Sequence, residues 1–239
     1  MIGVHDARPT QARTLARSLR PCVPVLSLPT LIRRCDLLIE AASGNAVVDL
    51  LPRIIRRRRA TLILSTGGLL RKPRLLRAAV RGRVPVYLPS GALAGLDGIK
   101  AAAIGKIRSV TLTTRKPARS LVSAPGIVRR KIRLDRLKKP KVVFEGPADK
   151  AAEEFPQNIN VAATLALAGV GPARTRVKII ADPGIRTNIH QVEAAGDFGR
   201  LVSRVENRPS AGNPRTSALA IQSAVATLRQ ILEPLKVGT

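Results

Sequence analysis

The chain has 239 residues, 45% of them hydrophobic, which suffices for one large domain or two modest ones with real cores. No run approaches the ~18 consecutive apolar residues of a membrane span. The formal charge is +27, from 42 Lys and Arg against 15 Asp and Glu; nucleic-acid binding of a non-specific kind is compatible with that charge but is not expected as the function, because aromatics are only 2% and supply no stacking platform.

The opening Met1-Ile2-Gly3-Val4-His5-Asp6 has neither a basic nor an apolar region and is not read as a signal peptide. Ile2 to His5 reads as a strand stub. Thr10 to Leu19 reads as a helix, with Ala12, Leu15, Ala16 and Leu19 at helix spacing. Pro24 to Leu26 is a short strand and Pro29 to Arg34 a short helix. Leu37 to Glu40 is a buried-type strand, and Asn45 to Arg57 a helix whose basic end suits the helix dipole. Thr61 to Leu64 is an apolar strand, Pro73 to Val80 a helix, and Val84 to Leu88 a strand. Such alternation with short loops predicts a parallel sheet covered by helices. Cys22 and Cys35 are too few for a disulfide framework and lack metal spacing. They read as small buried or half-buried thiols in a reducing cytoplasm, and no metal site is expected.

The pattern changes near Ser90, so domains are expected at 1–90 and 91–239. Ala92 to Gly105 reads as a helix and Ile107 to Thr114 as a half-buried strand. Ser120 to Lys141 reads as an exposed basic excursion. Val142 to Glu145 is a strand stub, and Pro147 to Glu154 and Asn158 to Ala168 are helices. Val177 to Ala181, Thr187 to Ala195 and Leu201 to Glu206 read as strands of an antiparallel or mixed sheet. The last helix spans roughly Thr216 to Leu232 and is free to pack back on the first domain.

A dinucleotide-binding fold opens with a strand and a Gly-x-Gly-x-x-Gly turn facing the pyrophosphate. No such segment occurs here. Asp6, after the first short strand, stands where a ribose-binding acid falls about 20 residues beyond that turn. The chain therefore reads as starting at the second strand. Two explanations are open: a start upstream of Met1, or a truncation. As a lone residue, Asp6 reads rather as a turn or cap aspartate.

Several segments, taken in order, are similar to the L-aspartate dehydrogenase family. They are Asp36-Leu37-Leu38-Ile39-Glu40-Ala41-Ala42-Ser43, Ser65-Thr66-Gly67-Gly68 and Pro89-Ser90-Gly91-Ala92-Leu93-Ala94-Gly95-Leu96-Asp97. Phe144-Glu145-Gly146-Pro147-Ala148 and Phe155-Pro156-Gln157-Asn158-Ile159-Asn160-Val161-Ala162-Ala163-Thr164 follow. Then come Ala181-Asp182-Pro183, Asn188-Ile189-His190, Gly196-Asp197-Phe198-Gly199, Glu206-Asn207-Arg208-Pro209-Ser210 and Asn213-Pro214-Arg215-Thr216-Ser217.

The resemblance implies an α/β protein: an N-terminally truncated Rossmann-type domain, then an α/β catalytic domain with a mixed sheet, in a homodimer. It implies NAD- or NADP-dependent oxidation of L-aspartate to iminosuccinate, with a link to NAD synthesis. His190 matches the family's catalytic histidine, and its ordinary pKa of roughly 6.5 suits proton handling near neutrality. Asn160 and Ala94 match cofactor-contacting positions; Asn160 reads otherwise as a helix cap. Asn188, two residues before His190 on a strand, shares its face and is a candidate substrate ligand. Ser43 and Thr66 follow the C-terminal ends of strands, where ligands bind in open α/β sheets, though both read equally as helix caps. Asp6 favours NAD, while Arg8 beside it leaves NADP open. The two substrate carboxylates call for a cation, but no single arginine stands out. Two other readings remain: a related dehydrogenase with another substrate, and a basic polyanion-binding protein on a degenerate dehydrogenase scaffold.

Overall fold

The computed structural model describes residues 1–156, 159–213 and 216–238. The chain divides into two compact units, Met1–Tyr87 and Leu88–Thr239.

The first unit carries a parallel sheet of order β1 (Leu37–Glu40), β2 (Ala60–Ile63) and β3 (Val86–Tyr87). Its helices are α1 (Pro9–Ser18), α2 (Leu28–Arg34), α3 (Gly44–Arg57), α4 (Gly67–Leu70) and α5 (Pro73–Arg81). The expected strand at Ile2 to His5 reduces to one parallel bridge, Val4 to Val25. Helix α3 forms because Ser43 caps it and because Val47, Leu50, Leu51 and Ile54 make one buried stripe. Ile54 joins Ile32, Cys35, Leu38, Leu50, Ala79 and Val84 in the core; each large aliphatic side chain buried there stabilises by roughly 1.5–3 kcal/mol. Cys22 is exposed, not half-buried as expected from the sequence, because it follows α1 in an open loop; Cys35 is buried.

In this parallel topology α2, α3 and α5 each lead into a strand, so they end toward the sheet's N-terminal edge. That edge therefore collects Arg33 and Arg34 of α2, Arg56 and Arg57 of α3, and Arg81 of α5, all exposed. Arg59 ties two of these helices by donating from Nη2 to Arg33 O at 2.7 Å.

The second unit is built on a mixed sheet of order β5-β6-β4-β7-β8. The strands are β4 (Ile107–Pro117), β5 (Lys141–Pro147), β6 (Thr175–Asp182), β7 (Asn188–Gly196) and β8 (Gly199–Asn207). Only β4 and β6 run parallel; the other neighbours are antiparallel. Helices α6 (Leu96–Ala102), α7 (Pro125–Arg129), α8 (Ala148–Glu154), α9 (Asn160–Ala168) and α10 (Ala218–Leu232) complete the unit.

Three expectations need correction. Ala92 to Gly105 is not one helix: Gly91 and Gly95 take φ of +67° and +79°, and α6 begins only at Leu96. Strand β4 does not stop at Thr114 but continues through Pro117, paired with β6 as far as Asp182. The segment 120–141 is not simply exposed, since Leu121, Ala124, Ile127 and Leu134 are buried in short helical turns. Asn158, the expected start of α9, and Gln157, Pro214 and Arg215 lie outside the described residues; α9 is described from Asn160.

Candidate active site

Side chains alternate across a sheet. In the second unit, Val110, Leu112, Thr114 and Lys116 of β4 therefore share a face with Asn188, His190, Val192 and Ala194 of β7. Leu201, Ser203, Val205 and Asn207 of β8 complete it. The inner part is apolar and buried. The polar residues gather toward the C-terminal ends of β4 and β8, where β7 starts. Among these residues only Lys116 carries a formal charge. The opposite face stays partly exposed and bears ion pairs such as Arg115 with Asp182 at 3.0 Å and Arg204 with Glu206 at 2.7 Å.

His190 sits opposite Thr114 in the ladder, and its Nδ1 is 3.0 Å from Thr114 Oγ1. Both are buried. Burial first, and the Lys116 ammonium second, push the imidazole pKa down to about 3. Burial likewise lowers Lys116 to about 8. The site thus holds a neutral imidazole beside a cation at pH 7. The Thr114 contact leaves Nε2 to meet a ligand; for Nε2 to accept a proton, Nδ1 must carry one and donate it to Thr114.

Asn188 pairs with Asn207 in the next ladder. Asn207 is buried; its Nδ2 donates to Ala92 O at 3.3 Å, while its Oδ1 has no partner. A buried acceptor without a donor costs about 1–3 kcal/mol, which a ligand N–H would recover. Ser203 Oγ donates to Ala94 O at 2.7 Å. These two bonds pin the turn carrying Ala94 onto β8, and the positive φ at Gly91 and Gly95 is what lets the turn follow that path. A Cβ on Gly91 would meet Val161 at 3.7 Å, so the start of α9, with Asn160 at its first residue, lies beside the same turn. His190, Asn188, Ala94 and Asn160 are thereby linked through one set of contacts. Asn160 does not occupy the N-cap, which is Ile159.

The first unit places Ser43 and Thr66 after adjacent parallel strands, at N-caps of α3 and α4. Ser43 Oγ accepts from Ala46 N at 3.2 Å, the capping role foreseen beside the ligand role. Buried Glu40 joins the two loops: Oε1 accepts from Ala42 N at 2.7 Å and Ser43 N at 3.0 Å, and Oε2 from Ser65 N at 3.0 Å. The two helix starts touch through Gly44 and Gly68, where a Cβ on Gly68 would meet Gly44 O at 2.4 Å. Asp6 stands after the Val4–Val25 bridge, and its Oδ1 accepts from Arg8 N at 2.7 Å, with Arg8 Nε 3.8 Å away. His5 binds Leu26 O through Nδ1 at 3.0 Å, a local structural contact.

Comparison with known proteins decides the family. The family described as Aspartate dehydrogenase, C-terminal, matches residues 97–231. The L-aspartate dehydrogenase of Methanosarcina acetivorans is 46% identical over 243 residues, covering 100% of this chain and 90% of that protein. The chain belongs to the aspartate dehydrogenase family. The L-aspartate dehydrogenase of Methanocella arvoryzae is 45% identical, covering 99% of this chain and 89% of that protein. The crystal structure of aspartate dehydrogenase from Thermotoga maritima aligns with a TM-score of 0.77 at 27% identity, covering 99% of this chain and 89% of that chain.

Family membership and the α/β class read from the sequence are therefore shown, and the family is one of dehydrogenases. Thr114, Lys116, Asn207 and Glu40 escaped the sequence reading. The first two were within reach, because continuing the alternation of β4 two residues puts Lys116 on the face of Thr114. Among the described residues no helix is long and apolar enough to cross a membrane.

Proposed function

We propose that this aspartate dehydrogenase family member oxidises L-aspartate to iminosuccinate, which hydrolyses to oxaloacetate and ammonia, and that the imine also supplies NAD synthesis. The observation that carries the reading is the buried His190–Thr114 pair at the polar end of the sheet, 3.0 Å apart. The unsatisfied acceptor of Asn207 supports it, since the substrate amine and a nicotinamide carboxamide both offer N–H donors.

The residues present fit the ribose and nicotinamide ends of a dinucleotide, while the glycine-rich turn that would meet its pyrophosphate does not occur in this sequence. Ser43 and Thr66 stand at the C-terminal strand ends, Asp6 offers a carboxylate to ribose hydroxyls, and Asn160 and Ala94 flank one turn. We assign the adenosine side to residues 1–90 and the catalytic and dimerisation roles to 91–239. When bound, NAD or NADP supplies the two-electron acceptor for the hydride leaving the substrate Cα.

Oxidation needs the amine unprotonated, with its lone pair free to form the C=N bond. Neutral His190 takes the proton released from the nitrogen, and Thr114 fixes its ring plane. Asn188 orients the substrate. Burial and Lys116 oppose the charging of His190 and make it a weak base. A bound dicarboxylate adds negative potential beside it and raises its basicity only when substrate is present.

Arg8 beside Asp6 makes NADP as well as NAD a cofactor to assay. A homodimer is assigned on the family resemblance alone, and the two free cysteines suit a cytoplasmic protein. The test is reduction of NAD and NADP with L-aspartate by the wild-type chain and by His190→Ala. Aspartate-dependent reduction lost in the variant is expected; equal rates in both would overturn the role of His190. A chain that reduces neither cofactor but binds DNA with a steep salt dependence would favour the polyanion-binding reading.

A further inference from the structure

The substrate proposed above carries two carboxylates, and a cation must meet them. The sequence contains 42 Lys and Arg residues and singles out none. The sheet narrows the choice. Arg115 is next to Thr114 in the chain, yet alternation sends it to the opposite face, where its Nη1 pairs with Asp182 at 3.0 Å. Arg204 points the same way and pairs with Glu206. On the face of His190, the strands β4, β7 and β8 present one charged residue, Lys116.

Lys116 lies two residues beyond Thr114 on β4 and one step past the last β4–β7 pair, Arg115 with Ile189. It therefore stands on the His190 face at the end of the strand where β7 begins with Asn188. Resting on the reading of the chain as an L-aspartate dehydrogenase, we infer that Lys116 is a substrate-binding residue, its ammonium holding a carboxylate of the dicarboxylic amino acid beside His190.

Three observations support this. The ammonium is desolvated enough to lose affinity for its proton, so the fold carries a cation there at a cost in stability. An anion placed against a desolvated ammonium is screened little by water, so a substrate carboxylate there binds more strongly than at an exposed lysine. Its field acts on His190, so neutralising it with a carboxylate couples substrate binding to the basicity of the imidazole. The surroundings offer complementary donors and acceptors, with Asn188 and the unsatisfied Asn207 Oδ1 on neighbouring strands. The amine of the same substrate supplies what Oδ1 lacks.

The experiment uses the full chain as wild type, Lys116→Gln, Lys116→Arg and Lys116→Met. Succinate, a C4 dicarboxylate without an amine, serves as the dead-end probe, its binding measured by calorimetry. Steady-state constants are measured for L-aspartate, L-alanine and the cofactor. Losing a charge-assisted bond predicts roughly a 10- to 100-fold rise in the aspartate KM and the succinate Kd of Lys116→Gln. The cofactor KM stays within about twofold, and Lys116→Arg recovers part of the loss.

A fall in the aspartate-to-alanine ratio of kcat/KM assigns the side-chain carboxylate to Lys116; a parallel fall for both assigns the α-carboxylate. Melting temperatures check the fold, and Lys116→Met is expected to melt no lower than wild type. Wild-type turnover with unchanged aspartate KM and succinate Kd in Lys116→Gln and Lys116→Met overturns the assignment alone. If the wild type binds succinate through Lys116 yet oxidises no aspartate, the anchor stands and the catalytic reading falls. If the wild type binds no succinate, the assignment falls.

Discussion

Thr114 Oγ1 lies 3.0 Å from His190 Nδ1 across the β4–β7 ladder, and both side chains are buried. The bond sets the plane of the imidazole and so the direction of Nε2. Thr114→Val keeps the shape and removes the hydroxyl. The expected result is a fall in kcat of about tenfold, the worth of one such bond, with the aspartate KM little changed. Thr114→Ser restores most of the rate. A kcat equal to wild type in the valine variant contradicts the assignment.

The contact of Gly44 with Gly68 brings the starts of α3 and α4 together in the first unit. A methyl group on Gly68 would meet Gly44 O at 2.4 Å, backbone that cannot step aside. Gly68→Ala is expected to destabilise the chain by about 1–3 kcal/mol. Chemical denaturation reads this directly. An unchanged midpoint would mean that the two loops separate freely.

Lys116 and His190 both bind protons less well in the folded chain than in the unfolded one. Between about 8 and 10.5 the unfolded chain keeps the Lys116 proton that the folded chain has released, so stability rises with pH through that window, and the full cost of the charge is present below it. Lys116→Met is therefore expected to raise the melting temperature at pH 7, with the gain shrinking toward pH 10.5. Between about 3 and 6.5 the unfolded chain binds a proton that folded His190 refuses, so stability falls as pH drops. His190→Gln removes that part of the acid sensitivity. Melting curves from pH 4 to pH 10.5 measure both effects; a gain for Lys116→Met that persists undiminished at the alkaline end contradicts the first.

The N-terminal edge of the first sheet carries Arg33, Arg34, Arg56, Arg57 and Arg81, none of them in an ion pair among the described residues. Like charges at one edge repel, and salt screens them over a Debye length of about 10 Å at 0.1 M. The melting temperature is expected to rise with sodium chloride, and Arg56→Gln with Arg57→Gln to flatten the rise. A melting temperature that falls with salt contradicts this account.

The parallel sheet of the first unit is legible because Leu37 to Glu40 and Thr61 to Leu64 are short apolar runs separated by a helix-period stretch. The mixed sheet of the second is legible from the alternation in β7 and β8. Two features depend on remote partners and are not. The turn at Gly91 to Gly95 is held by Asn207 and Ser203, 115 and 109 residues away, while its Ala-rich composition by itself favours a helix. The strand is expected to stop at Thr114, before the charged Arg115-Lys116, yet parallel pairing with β6 carries it through Pro117. That extension is what brings Lys116 onto the face of His190. That Asn188 shares a face with His190 is legible from their two-residue spacing and is what the ladder shows, whereas the role given to His190 comes from the resemblance, and Asn207 stands out only through its buried, unmatched oxygen.

The most direct measurement is turnover of L-aspartate deuterated at Cα, followed by mass analysis of the reduced cofactor. The account predicts NADH or NADPH carrying one deuterium from the substrate, formed in step with oxaloacetate and ammonia. Reduced cofactor without deuterium, or no aspartate-dependent reduction of either cofactor, would contradict it.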